Sequence, residues 1–204
     1  DADVISAASG LTSARSQLAA LDTQAESIKK TLCTFTGWGS DGNPVIGAVP
    51  SSDVAAIAAI DVDADKETAV NNNYSLISMR GAKGGGMDQI EQIISKNTTQ
   101  TKNKVRNVAY SEDLVRSNIQ TLYDTILEKK VEYDSATTAW QAAQNTWQAA
   151  QIQYGTGSLS QIAYMQQELA YLQARAGFRS ADLNLQQAMQ NYTWAVKGLD
   201  VSAS

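Results

Sequence analysis

The sequence lacks the residues that most catalytic sites and metal sites require. Its 204 residues include no histidine, one cysteine (Cys33) and two prolines (Pro44 and Pro50). Without histidine there can be no Ser-His-Asp triad, no Cys-His dyad and no histidine metal ligand. One cysteine cannot form an internal disulfide or a zinc knuckle. We therefore predict that the chain is not an enzyme and that it has neither a cofactor nor a metal site.

Long apolar runs are also missing, because no stretch of about 18 apolar residues occurs and the sequence thus predicts no transmembrane segment. The balance of 16 basic and 21 acidic side chains gives a formal net charge of −5. An acidic chain is a poor ligand for nucleic acid, because phosphate contacts need clustered Lys and Arg. We therefore predict no nucleic-acid partner.

The charges are unevenly distributed, since the 33 residues between Asp134 and Glu168 carry none. This stretch contains eight glutamines and a duplicated heptad, WQAAQ at 140–144 and again at 147–151. An isolated hairpin in water normally carries charges on its outer faces. The neutral surface is therefore either a polar face that contacts only water or a face that contacts neighbouring helices or another protein, and we favour the second interpretation.

Glycine and proline punctuate the chain at a few places and leave long helical segments between them. We predict a long helix at 1–35, a loop at 36–62, a short helix at 63–80, a long helix at 88–154, a hairpin tip at 155–159 and a return helix at 160–198. The short connection makes the last two helices antiparallel neighbours. The predicted fold class is all-α, with a long, coiled-coil-like antiparallel α-helical hairpin. We expect it to pack with a further long helix and an irregular equatorial-type loop in one elongated domain, 1–204.

Heptad spacing indicates how the two hairpin helices pack against each other. In the outgoing helix, bulky rings recur every seven residues and alternate with alanine, which favours close packing of large against small side chains. The predicted helix-packing seam consists of Tyr133, Trp140, Trp147, Tyr154, Ile162, Leu169 and Leu172.

A group of acidic residues near position 61 permits a weaker alternative interpretation, a calcium-binding loop. Asp61, Asp63 and Asp65 form the Asp-x-Asp-x-Asp start of a calcium loop. Lys66 stands where that loop needs glycine, and Asn72 stands where it needs glutamate. We favour acidic residues at a helix start, where they interact with the positive end of the helix dipole.

Four segments resemble, in the same order, the second half of TolC-family outer-membrane efflux proteins. The hairpin turn and return helix carry YGTGSLS at 154–160 and QELAYLQAR at 167–175. The ending at 188–199 is similar to the close of the family repeat. Segment 67–76 resembles the Ala-Leu-x-Asn-Asn-Pro-x-Leu segment of the family, with Tyr74 in place of proline. Residues 32–44 resemble the end of a family hairpin and the start of its equatorial loop.

The resemblance also shows departures from the family pattern. In the family, a β-hairpin of the outer-membrane barrel precedes the long helical hairpin. Here the interval 80–103 contains Gly84, Gly85 and Gly86 but no pair of alternating strands of about 9–11 residues. We therefore expect a barrel-less relative or a fragment that covers the second repeat, with the upstream portion absent.

The resemblance implies a function without chemistry. Hairpins of the family line up into an α-helical duct, and their tips dock on a membrane-fusion adaptor that links them to an ABC-type or similar transporter. The implied partner-binding residues at the hairpin tip are Gly155, Thr156, Gly157, Ser158, Leu159, Ser160 and Gln161. We expect a homo-oligomer in the full-length form, exported to the cell envelope or cell surface, in a periplasm-like or cell-wall space. A bacterium without an outer membrane is one such setting. The alternative is a structural coiled-coil surface or interaction protein with no transport role.

Overall fold

The computed structural model describes residues 2–38, 47, 51–81 and 99–201. It contains helices α1 (Ala2–Thr36), α2 (Val54–Ile57), α3 (Val62–Asn72), α4 (Tyr74–Gly81), α5 (Thr99–Gly155) and α6 (Gln161–Val196). No strand occurs in these ranges, and the all-α prediction is confirmed. The chain divides into two compact units, Asp1–Val49 and Pro50–Ser204. The prediction of a single elongated domain stays a prediction.

The first unit contains α1, which agrees with the predicted helix at 1–35 to within a residue. It ends at Thr36, and the next residue, Gly37, has a positive φ of 71°, a backbone conformation that favours glycine. Threonine hydroxyls in its second half donate to carbonyls one turn back, as Thr31 does to Ser27 at 3.0 Å. The packing of this helix on the hairpin stays a prediction.

The second unit is built on the predicted antiparallel hairpin. Helix α5 has 57 residues and α6 has 36, and a short turn joins them. The described part of α5 begins at Thr99, so residues 88–98 of the predicted long helix lie outside the described residues. Helix α6 begins after Ser160, whose hydroxyl accepts a hydrogen bond from the Ala163 amide at 3.2 Å and caps the helix.

Two predicted boundaries between residues 36 and 80 are wrong. The predicted loop contains the short helix α2, and the predicted single helix at 63–80 is broken at Asn73. Asn73 has extended backbone (φ −63°, ψ 117°), and its side-chain oxygen accepts from the Leu76 amide at 3.0 Å. Its amide group donates to Asp200 at 2.9 Å. Asn73 therefore ends α3, caps α4 and ties both helices to the end of the chain.

The core lies at the base of the hairpin, far from the turn. Helix α3 packs on both α5 and α6, and α4 packs on α5. The buried cluster consists of Ile57, Ala69, Ile119, Leu122, Ile126, Leu185, Ala188, Tyr192 and Ala195. Because a helix rises about 1.5 Å per residue, the turn lies roughly 40 Å from Ile126 along α5. The hairpin end therefore projects as a two-helix arm.

A buried carboxylate fastens the segment before α2 to the middle of α6. Asp182 is 2% exposed and accepts from the Ser52 amide at 2.9 Å and the Ser52 hydroxyl at 2.6 Å. Burial alone would raise the pKa of Asp182. The hydrogen bonds from Ser52 and Gln186 outweigh burial and lower that pKa. The ionised carboxylate is thus part of the folded structure.

Candidate functional site: the uncharged end of the hairpin

The turn between α5 and α6 is closed by its own hydrogen bonds. The Gly157 amide donates to the Tyr154 carbonyl at 3.0 Å, and the Ser158 amide donates to the Gln153 carbonyl at 2.9 Å. This pair of bonds is a Schellman motif, and it requires Gly157 in a left-handed conformation, here with φ 76°. The Ser158 hydroxyl also donates to the Gln153 carbonyl, at 2.9 Å. The turn is therefore preorganised without a partner.

The structure places all seven predicted tip residues together at this turn. Six of them are exposed, whereas Leu159 is half-buried. A Cβ added at Gly155 or Gly157 would meet no atom within 4 Å. The tip is thus a small, open and neutral surface. Leu159, which we expected to contact a partner, is only partly available.

Aromatic rings fill the space between the two helices along the uncharged half of the hairpin. The ring centroids are 4.4 Å apart for Tyr154–Tyr164, 4.7 Å for Trp147–Tyr164, 6.2 Å for Trp147–Tyr171, 4.8 Å for Trp140–Phe178 and 5.6 Å for Tyr133–Phe178. Such contacts stabilise by about 0.5–1.5 kcal/mol each beyond the burial of apolar area. The predicted α5 rings Tyr133, Trp140, Trp147 and Tyr154 all take part in these contacts.

The predicted seam residues on α6 are wrong as contacts to α5. Ile162, Leu169 and Leu172 are 72%, 56% and 48% exposed. A step of two residues along a helix with 3.6 residues per turn rotates the side-chain direction by about 200°. Ile162 therefore lies nearly opposite Tyr164 on α6. Since the rings of Tyr164, Tyr171 and Phe178 meet those of α5, the aliphatic residues face outward.

The outward-facing residues form a second apolar face on α6, which we call the outer stripe: Ile162, Met165, Leu169 and Leu172. Their spacing of three, four and three residues is that of a heptad seam. Met165 is 59% exposed, like its neighbours in the stripe. The stripe thus has the periodicity of a helix-packing face, and its four side chains are between 48% and 72% exposed.

The described ion pairs lie outside the uncharged end. Arg80 contacts Glu112 at 2.6 Å, Arg116 contacts Glu67 at 2.9 Å and Lys130 contacts Asp134 at 2.6 Å. The hydrogen bond from Arg116 holds the pKa of Glu67 below its ordinary value. The uncharged end therefore offers only apolar, hydroxyl and amide groups, whose interactions change little with salt.

The acidic residues near α3 have separate structural partners. Asp61 caps α3 by accepting from the Ala64 amide at 3.1 Å, which confirms the helix-start interpretation. Asp63 pairs with Lys66 at 3.0 Å, and Asp65 accepts from the Tyr192 hydroxyl at 2.7 Å. Burial and this carboxylate together raise the pKa of Tyr192. Across the described ranges, no three Cys, Asp or Glu side chains come together as a metal-binding group.

Comparison with known proteins adds no assignment. No family model, curated protein or solved structure matches this chain. No helix in the described part of the chain is both long enough and apolar enough to cross a membrane. The resemblance to the TolC family rests on the four sequence segments and stays a prediction.

Proposed function

We propose that the chain is a TolC-like component of an α-helical duct in a tripartite efflux or secretion system. In this proposal, hairpins lie side by side and their tips dock on a membrane-fusion adaptor that is linked to an ABC-type or similar transporter. The protein acts in the cell envelope or at the cell surface after export. It provides a passage and carries out no chemistry.

The outer stripe is the observation that carries this proposal. One face of α6 already packs against α5, and a separate face presents Ile162, Met165, Leu169 and Leu172 to solvent. Full burial of one such side chain stabilises by about 1.5–3 kcal/mol, and about half of that remains available here. A helix with packing faces on two sides is suited to a continuous wall of helices.

The tip supports the adaptor part of the proposal. Because its backbone is held by the Schellman bonds, docking would require little ordering of the turn. Exposed Ile152 and Ile162 flank the turn, and each is at least 70% exposed. These two apolar side chains were not among the predicted tip residues. We include them in the docking surface, which a neutral and partly apolar adaptor tip would complement.

The substitution Gly157→Val tests the docking role. A β-branched residue disfavours the left-handed backbone conformation of Gly157, whose φ is 76°, by about 1–2 kcal/mol or more. The substitution should therefore change the conformation of the turn and leave both helices formed. We expect weaker binding to a membrane-fusion adaptor, measured by biolayer interferometry, with unchanged far-UV circular dichroism. Gly155→Ala is the control, because Gly155 has no positive φ and open space around it. Unchanged adaptor binding by Gly157→Val would refute tip docking.

A structural coiled-coil surface protein is the second candidate, and the outer stripe favours it as well. Such a protein would use the stripe to form oligomers but would have no adaptor to bind. Assembly of the chain without any adaptor interaction, for the wild type and for both glycine variants, would favour this candidate.

A further inference from the structure

A cavity of about 330 Å³ lies at the base of the hairpin, between α2, α3, α5 and α6. Ile60, Ile126, Met189 and Val196 form much of its apolar wall. It is remote from the tip and shares no residue with the outer stripe. Binding sites for small molecules in proteins are commonly apolar cavities of this size with a few converging polar groups, including sites between the helices of bundles.

Three polar side chains of this cavity differ in what they can offer a ligand. Asp65 is half-buried, and the Tyr192 hydroxyl donates to its Oδ2 atom at 2.7 Å. The Thr193 hydroxyl donates to the Met189 carbonyl of its own helix at 2.8 Å. The Lys197 Nζ atom lies 4.6 Å from the centroid of the Trp194 ring. The lysine charge thus already has a cation–π partner, whereas Asp65 presents a fixed carboxylate.

We propose that this cavity binds a small apolar ammonium compound, with the cation on the Asp65 carboxylate and the apolar body against Ile60, Ile126 and Met189. The site is open to solvent, and its volume of about 330 Å³ accommodates one ring with a short alkylammonium arm. The charge of the site favours a cation over an anion. Asp61 lies at the same helix start as Asp65, while Lys197 is exposed and its Nζ atom lies over the Trp194 ring.

The test compares three probes with the same ring and different head groups: phenethylammonium, phenethyl alcohol and hydrocinnamate. Binding to the 204-residue chain is followed by NMR shifts of the Met189, Ile60 and Ile126 methyl groups. We expect the ammonium to bind about tenfold more tightly than the alcohol, because a hydrogen bond from a charged donor to a carboxylate is stronger than one from a neutral hydroxyl. Hydrocinnamate should bind most weakly of the three.

Two variants assign the binding to this cavity. Asp65→Asn keeps an acceptor for the Tyr192 hydroxyl but removes the charge, so the preference for ammonium over alcohol should disappear. Ala59→Leu adds volume at the rim and should weaken ammonium and alcohol alike. Asp63→Asn is the matched control, because it removes an equal charge from α3 at a residue that does not line the cavity.

Several results would overturn the proposal. These are equal affinity for ammonium and alcohol, tighter binding of hydrocinnamate, a preference that survives Asp65→Asn, or no shift of the cavity methyl groups with any probe. Circular dichroism of each variant separates a lost site from a lost fold. None of these outcomes bears on tip docking.

Discussion

Gly198 is a position where one methyl group should strongly destabilise the second unit. The residue follows α6 with φ 97°, and its amide donates to the Ala195 carbonyl at 2.9 Å. The Leu199 amide donates to the Trp194 carbonyl at 3.1 Å, which completes a Schellman motif. A Cβ here would collide with the Asn72 carbonyl group, whose carbon would lie 2.5 Å away, and would sit 3.0 Å from the Asn73 nitrogen.

The cost of Gly198→Ala follows from two separate effects. The left-handed conformation costs an L-residue about 1–2 kcal/mol, and overpacking against rigid backbone costs about 1–3 kcal/mol. Alanine also restricts the unfolded chain, which offsets about 0.4–1 kcal/mol. The backbone of Asn72 cannot easily retreat, because its side chain donates to the Val196 carbonyl at 3.2 Å. We expect a net loss of about 2–4 kcal/mol in the free energy of unfolding.

Urea unfolding followed by far-UV circular dichroism measures this loss. Gly177→Ala is the control on the same helix, because Gly177 lies inside α6 and a Cβ there would meet no atom within 4 Å. It should stabilise the protein by about 0.5–1 kcal/mol, since alanine is the better helix former. If the two alanine variants unfold at the same urea concentration, this result would contradict the close contact between the Asn72 backbone and Gly198.

Two further stability predictions concern buried polar groups of the hairpin. Asp182→Ala should cost about 1–3 kcal/mol at neutral pH, because it leaves the Ser52 amide without its acceptor. The folded pKa of Asp182 is lowered, so its contribution is complete above the unfolded value of about 3.9 and is lost as the pH falls through the folded pKa. Urea unfolding of both proteins at a series of pH values should therefore show a difference that shrinks in acid, and a constant difference would contradict the role of the charge. The Trp140 Nε1 atom is buried and has no hydrogen-bond partner among the described residues. Trp147 is also half-buried, but its indole nitrogen is not a buried atom without a partner. Trp140→Phe should therefore cost about 1 kcal/mol less than Trp147→Phe in paired unfolding experiments, and the reverse order would contradict this.

The helical architecture and the register of α5 could be predicted from sequence because both depend on local spacing. Rings and alanines recur every seven residues in α5, and the structure brings Tyr133, Trp140, Trp147 and Tyr154 onto the face that meets α6. Long segments without glycine or proline likewise marked the hairpin helices. The turn could be located because Gly157 supplies the left-handed residue that the Schellman motif needs.

The register of α6 could not be predicted from its own sequence, because the helix carries two separate apolar stripes. The aliphatic stripe was the more hydrophobic one, whereas the aromatic stripe fits between the rings of α5. Which stripe of α6 faces α5 depends on how the side chains of the two helices fit together. The spacing of apolar residues within α6 alone does not determine it. The break at Asn73 and the Asp182–Ser52 contact depend on residues more than a hundred positions apart, such as Asn73 and Asp200. The cavity beside Tyr192 likewise exists only once four helices meet.

Sedimentation velocity of the 204-residue chain over a range of concentrations tests the central claim, that the outer stripe joins neighbouring hairpins. The wild type should form oligomers as the concentration rises, and the double variant Leu169→Gln/Leu172→Gln should remain monomeric with unchanged helix content. Leu114→Gln is the matched control, because Leu114 is 51% exposed but lies on α5 near the base. A monomeric wild type at every concentration, or equal assembly of the double variant, would contradict the account.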